Sequence, residues 1–172
     1  MLDGGGKLKG VIRFTALAIV ASIVGWGSAA LAATAYSSWN YIDTTQAACG
    51  YYRNHVNNST YKAVANTRNF AKYSGSPCSV ANPVSNMPAY YMTASVKLVS
   101  ENGSFVCGNT GTVYNTSYNS EVHVEAYYVQ QTGCRKKSGD YYHASGSGSR
   151  WNEGLGGYVS SGPTYSDHLR FW

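Results

Sequence analysis

From Met92 to Leu98 apolar and polar positions alternate without a break, with Met92, Ala94, Val96 and Leu98 on one side and Thr93, Ser95 and Lys97 on the other. A repeat of two marks a half-buried strand, because successive side chains leave opposite faces of a pleated backbone. Asn102-Gly103 follows, and both residues tolerate the positive φ of a type I′ turn, so the pattern predicts a hairpin. With these two at the turn, Ser100 faces Phe105 and Leu98 faces Cys107. That register puts Phe105 and Cys107 on the apolar side with Val96 and Leu98. The alternation returns from Glu121, where Val122, Val124, Ala126 and Tyr128 oppose Glu121, His123, Glu125 and Tyr127, as expected of an antiparallel strand with one wet face.

Between these runs, residues 112–115 form a short strand bounded by the turn signals GNTG and TSYNS. Beyond Cys134 the chain is punctuated by Gly146, Gly148, Gly154, Gly156, Gly157 and Gly162, which predicts short strands at 141–145 and 157–161 between turns. The tail ends on Leu169, Phe171 and Trp172, apolar bulk that predicts a docked edge strand.

The part before residue 89 is less regular. Residues 59–75 carry a helix reading, with Ser59 or Thr60 as start, Lys72 in the last turn and Gly75 as stop. They carry a strand reading too, since Val64, Asn66, Arg68 and Phe70 are spaced by two and Thr67 and Asn69 are poor helix formers. Pro77, Pro83 and Pro88 around Cys78 make the next stretch a connection.

Residues 1–32 read as a secretory signal: Lys7, Lys9 and Arg13 precede the apolar run Phe14 to Val24, and Ala30-Leu31-Ala32 fits an A-x-A cleavage site. A retained anchor over Phe14 to Ala33 is the competing reading. Cleavage leaves residues 33–172 as one all-β domain, an antiparallel β-sandwich. The whole chain has 13 Lys and Arg against 8 Asp and Glu; without Lys7, Lys9, Arg13 and Asp3 the balance is ten against seven, or +3. Only Arg135-Lys136-Lys137 cluster, so no nucleic-acid partner is expected.

Cys49, Cys78, Cys107 and Cys134 make an even set in an exported domain and imply two disulfides. Neighbour pairing, Cys49 with Cys78 and Cys107 with Cys134, would clip segments within each half. A bridge closing about 30 residues contributes roughly 3.5 kcal/mol by chain entropy.

Glu121, His123 and Glu125 are the metal-ligand types of one strand face, and cross-strand pairing of that row with Lys97 or Arg135 explains the same residues as a charged solvent face. His55, His143 and His168 stand in no catalytic motif, so neither an enzyme nor a cofactor is expected. All 16 tyrosines lie beyond the signal, mixed with Ser, Gly and Asn, a composition that suits binding loops. Trp39, Tyr41, Tyr141, Tyr142, His143 and Trp151 are the candidate binding surface, for another secreted or cell-surface protein or a surface glycan. Tyr90 to Ser100 and Glu121 to Gln131 each run eleven residues, close to the roughly nine to eleven of a membrane strand, so membrane contact is expected only of a pore-former. Export, small size, Tyr-rich hairpins and an aromatic C-terminus are together similar to small secreted antibacterial proteins of the lactococcin 972 kind, from which the four cysteines and the greater length depart. That resemblance implies a toxin role.

Overall fold

A computed structural model describes residues 33–45, 47–101, 105–135 and 139–171, so the signal segment, the Asn102-Gly103 turn and Trp172 lie outside the described residues. The described residues form strands and no helix. These are β1 (Thr34–Tyr36), β2 (Asn40–Thr44), β3 (Ala48–Asn57), β4 (Lys62–Ala71), β5 (Met92–Ser100), β6 (Phe105–Asn109), β7 (Val113–Tyr114), β8 (Glu121–Tyr127), β9 (Tyr141–Asn152), β10 (Gly157–Ser160), β11 (Thr164–Tyr165) and β12 (Leu169–Arg170). They make two antiparallel sheets. The first has the order β1-β3-β4-β8, with β2 also on β3; the second has β10-β9-β5-β6, with β7 on β5 and β11 and β12 on β9.

Within residues 59–75 the chain forms the strand β4 and no helix, paired along its length with β3 on one side and over Lys62 to Arg68 with β8 on the other. Two ladders satisfy its backbone, which outweighs the weak helix propensities of the segment. Its core row is Ala63, Ala65, Thr67 and Asn69, small or polar, and of the spaced set that marks a strand Asn66 and Arg68 are partly exposed while Val64 and Phe70 are buried. The predicted alternations of β5 and β8 hold: Met92, Ala94, Val96 and Leu98 are fully buried, as are Val122, Val124 and Ala126 nearly so. Both strands are shorter than eleven residues, at nine and seven.

The hairpin register begins as expected, with Ser100 opposite Phe105, and then slips at a bulge between Leu98 and Val99. Leu98 therefore faces Gly108 and not Cys107. The slip brings β6 so close to β8 that a Cβ on Gly108 would lie 2.4 Å from the Tyr127 carbonyl oxygen. Phe105 is 43% exposed and not in the core; its ring lies over Gly133, where no side chain could fit.

The strand expected to stop at Ser145 runs on as β9 through Gly146 and Gly148. These glycines serve a different purpose from turn punctuation. Both point inward, where Tyr52 of β3 is fully buried and its hydroxyl donates to the Ser95 carbonyl of β5 (2.9 Å). A Cβ on Gly146 would stand 2.5 Å from the Tyr52 hydroxyl oxygen, and one on Gly148 2.6 Å from its ring and 2.1 Å from Thr67 Oγ1. Only a strand with glycine at those two inward positions admits the tyrosine there.

Cysteines pair Cys49–Cys78 and Cys107–Cys134. The first ties the proline connection to β3; the second ties β6 to the segment that leaves β8. Two such bonds are consistent with an oxidising compartment. At the C-terminus β12 docks on β9, and Phe171 is buried with its ring stacked on Tyr142 at 4.2 Å.

Gly148→Ala is expected to cost about 1–3 kcal/mol through overpacking against Tyr52 and Thr67. Gly157→Ala, with open space at its Cβ, is expected to stay within about 0.5 kcal/mol of wild type. Urea denaturation of both variants measures the difference, and equal midpoints would refute the close sheet contact.

Candidate binding surfaces

The outward row of β9 and its neighbours carries the densest exposed aromatic cluster of the second sheet. Trp151 on β9 pairs with Tyr158 on β10, and Tyr114 on β7 pairs with Thr93 on β5. The rings run as a belt: Tyr90 to Tyr114 at 6.3 Å, Tyr114 to Tyr158 at 6.0 Å, Tyr158 to Trp151 at 5.3 Å and Trp151 to Tyr91 at 6.4 Å. Tyr90 is 61% exposed and holds φ at +65°, a left-handed backbone that a bulky residue adopts only when its surroundings impose it. Its amide donates to the Asn115 carbonyl (2.7 Å), and its carbonyl accepts from the Tyr158 hydroxyl. The Tyr91 hydroxyl donates to Glu153 (3.2 Å), and that bond raises its pKa. The belt is thus tethered by its own hydroxyl groups.

Next to the belt the same face turns hydroxylic. Ser95, Ser145, Ser147 and Ser149 project outward in the cross-strand pairing of β5 with β9, with Thr93 buried in the same row. Ser95, Lys97, Ser145, Ser147 and Pro163 line a shallow depression of about 170 Å³. At the far end of this face lie Tyr141 and His143. Burial, then the neighbouring His168, lowers the His143 pKa against an opposing pull from Glu101.

The outer face of the first sheet is built differently, from cations among aromatic rings and carboxylates. The Arg53 guanidinium sits 4.6 Å from the ring centres of both Tyr36 and Trp39. Trp39 also meets the edge of Phe70 at 6.1 Å, and Tyr41 meets Tyr51 at 5.5 Å. The Glu121, His123 and Glu125 row lies on this face, paired to β4. Arg68 approaches Glu121 at 3.0 Å and Lys62 approaches Glu125 at 2.5 Å. The Asn66 amide donates to Glu121, and its oxygen lies 3.0 Å from His123 Nδ1. The Lys62 and Tyr127 hydrogen bonds push Glu125 down to about 2.

Cation pairing therefore explains the row, with a correction. Its partners are Lys62 and Arg68, because β8 crosses to the first sheet, whereas Lys97 belongs to the outer face of the second. Each carboxylate is engaged by its own cation, and the three groups do not converge on one point.

The expected surface residues divide among these faces. Trp151 lies in the belt, Tyr141 and His143 at the other end of that sheet, and Trp39 and Tyr41 on the first sheet. Tyr142 is fully buried, a correction that follows from alternation: Tyr141 and Tyr142 are adjacent on one strand and must face opposite ways. The Tyr142 hydroxyl donates to the Arg135 carbonyl (2.8 Å). Tyr90, Tyr114 and Tyr158 were not singled out from sequence, since only the pairing of β7 and β10 onto β5 and β9 brings them together. The Tyr-Tyr pair at 90–91 was the available signal. Comparison with known protein families, curated proteins and solved structures gives no match, so this chain's own chemistry carries the functional reading.

His55 stands 4.7 Å from Tyr36 on the first sheet, and burial, followed by Arg53, His123 and Lys62 and opposed by Glu125, pushes its pKa down to about 4. A histidine that titrates lower in the folded state binds its proton preferentially when unfolded. The resulting stabilisation is present above the unfolded value of 6.5 and lost as pH falls toward 4. Glu125, titrating near 2, stays ionised through that window. Urea midpoints are expected to drop between pH 7 and pH 4, and less steeply for His55→Gln; equal slopes would discard His55 as a source of acid sensitivity.

Proposed function

We propose that the chain is a secreted, non-catalytic binding module whose working surface is the aromatic belt of the second sheet, and whose partner is another secreted or cell-surface protein. The observation that carries this reading is the belt itself. Tyr90, Tyr114 and Tyr158 are exposed by 61%, 42% and 43% in one contiguous string. Tyrosine supplies large contact area with few rotatable bonds, and rings already held by neighbours lose little further freedom on binding. Exposed aromatic clusters of this kind mark interaction sites more often than single exposed residues do.

A glycan is the second reading. It is favoured by the rows of serine hydroxyls beside the belt, since stacking faces next to paired hydrogen-bonding groups match the two sides of a sugar ring.

Labelled mature domain, added to intact cells and to envelope material of the source organism, is expected to bind saturably. The double variant Tyr114→Ser/Tyr158→Ser is expected to weaken binding by about tenfold or more, the scale of an interface anchor, with its melting curve unchanged. Protease treatment of the cells should abolish binding if the partner is a protein; loss on periodate oxidation and survival of protease would assign the glycan. Absence of saturable binding, or binding indifferent to the double variant, would overturn both.

A further inference from the structure

Three segments converge at the end of the second sheet away from the belt. Glu101 directly follows β5, whose last residue Ser100 pairs with Tyr142; His143 sits on β9 opposite Val99; and His168 immediately precedes β12, whose Leu169 pairs with Tyr142. One ligand-type atom from each of the three lies within 4.8 Å of the other two. His143 Nδ1 stands 3.7 Å from Glu101 Oε1, and His168 Nδ1 closes on the same oxygen. The imidazole rings are 5.4 Å apart and tilted by 25°. Glu101 Oε1 and His143 Nδ1 are both shut off from solvent, and His143 Nδ1 carries no hydrogen bond.

We propose that Glu101, His143 and His168 form a binding site for a divalent transition ion of the zinc class, ligated by one carboxylate oxygen and two imidazole nitrogens. An ion pair alone accounts for His168 and the carboxylate but leaves His143 Nδ1, 3.7 Å from the same oxygen, without a hydrogen bond. A cation between the three groups satisfies all of them. Bonds of about 2.0–2.2 Å around a tetrahedral centre put ligand atoms roughly 3.4 Å apart, so the His143 contact must tighten slightly from 3.7 Å while His168, which lies closer than that to the carboxylate oxygen, must draw back to admit the ion. His168, with 57% of its side chain exposed, is free to make that move. Nitrogen donors select a borderline ion over calcium or magnesium, which favour all-oxygen shells.

Sheet register supports the site, because β5, β9 and β12 fix the backbone of each ligand independently. The single-strand row Glu121, His123 and Glu125 lacks that convergence. Three protein ligands leave one tetrahedral position for water or for a donor atom of a bound partner. Ligation would also fasten the two-residue β12 to the long strands beside it.

The test uses the mature disulfide-bonded domain without a histidine tag, stripped with chelator and titrated with zinc chloride by calorimetry. Cobalt(II) absorption provides a coordination readout. One equivalent is expected to bind with micromolar or tighter affinity, to give visible tetrahedral cobalt bands and to raise the melting temperature by mass action. His168→Ala removes an exposed ligand without disturbing the core and is expected to weaken binding by about tenfold or more. Glu101→Gln should do the same, while His123→Ala should leave titration and spectrum unchanged. No saturable uptake below about 100 µM, uptake indifferent to His168→Ala, or uptake lost in His123→Ala would each overturn the proposal.

Discussion

The sandwich depends on one close approach: a tyrosine from the first sheet reaches the second where its long strand β9 turns two glycines inward. Sheets in face-to-face packing ordinarily stand about 10 Å apart, with both inner rows interdigitated. Tyr52 spans much of that gap and ends on the Ser95 carbonyl, with Gly146 and Gly148 clearing its path. The sequence SGSGS at 145–149 produces two surfaces at once. Its glycines admit the tyrosine on the inside, and its serines supply the hydroxyl row beside the belt on the outside. Packing and the candidate binding face are therefore two sides of the same five residues.

Around Tyr52 the interior changes character. Toward one end it is apolar, closed by Leu98, Val124, Tyr142 and Phe171. Toward the other it is polar and organised by Arg150, which is fully buried. The Arg150 guanidinium donates to the Ala48 carbonyl (3.1 Å) and Thr45 Oγ1 (3.0 Å), and Gly50 leaves room for its stem. Hydrogen bonds to backbone acceptors meet the desolvation cost of that charge. The long strands at the sheet margins are flanked by short pieces: β1 and β2 along β3, β6 and β7 along β5, and β10 to β12 along β9. Short flanking strands leave no long free ladder on those sides.

Class, hairpins and bridges were legible because each rests on local chemistry: alternation in β5 and β8, a turn dipeptide, and cysteines spaced for neighbour pairing. The bulge at Leu98 and Val99 was not, because it answers to the proximity of Gly108 and the Tyr127 backbone, a contact between distant segments. Gly146 and Gly148 misled for the same reason, since a glycine that clears a path for another strand reads in sequence like one that makes a turn. The surface was legible as a composition but not as a site. Trp151 and His143 were singled out alone, and their partners Tyr158, Tyr114, Glu101 and His168 arrive only through cross-strand pairing. β4 shows the limit of periodicity, where the spaced set mixes partly exposed Asn66 and Arg68 with buried Val64 and Phe70, and the core row is alanine, threonine and asparagine.

The covalent map has a consequence of its own. One bond closes 49–78 and the other 107–134, so nothing covalent but the backbone between 79 and 106 joins the two halves. That bridge includes an outlying stretch where Val80 and Val84 are exposed. A single nick there would turn the molecule into two separate polypeptides, one bringing β1 to β4 and the other the remaining strands, mated without a covalent bond by the Tyr52 tenon, the Arg150 hydrogen bonds, the shared apolar filling and the β4 to β8 ladder. Built this way, the domain is a natural split pair whose reassembly reads out the strength of its own interior seam.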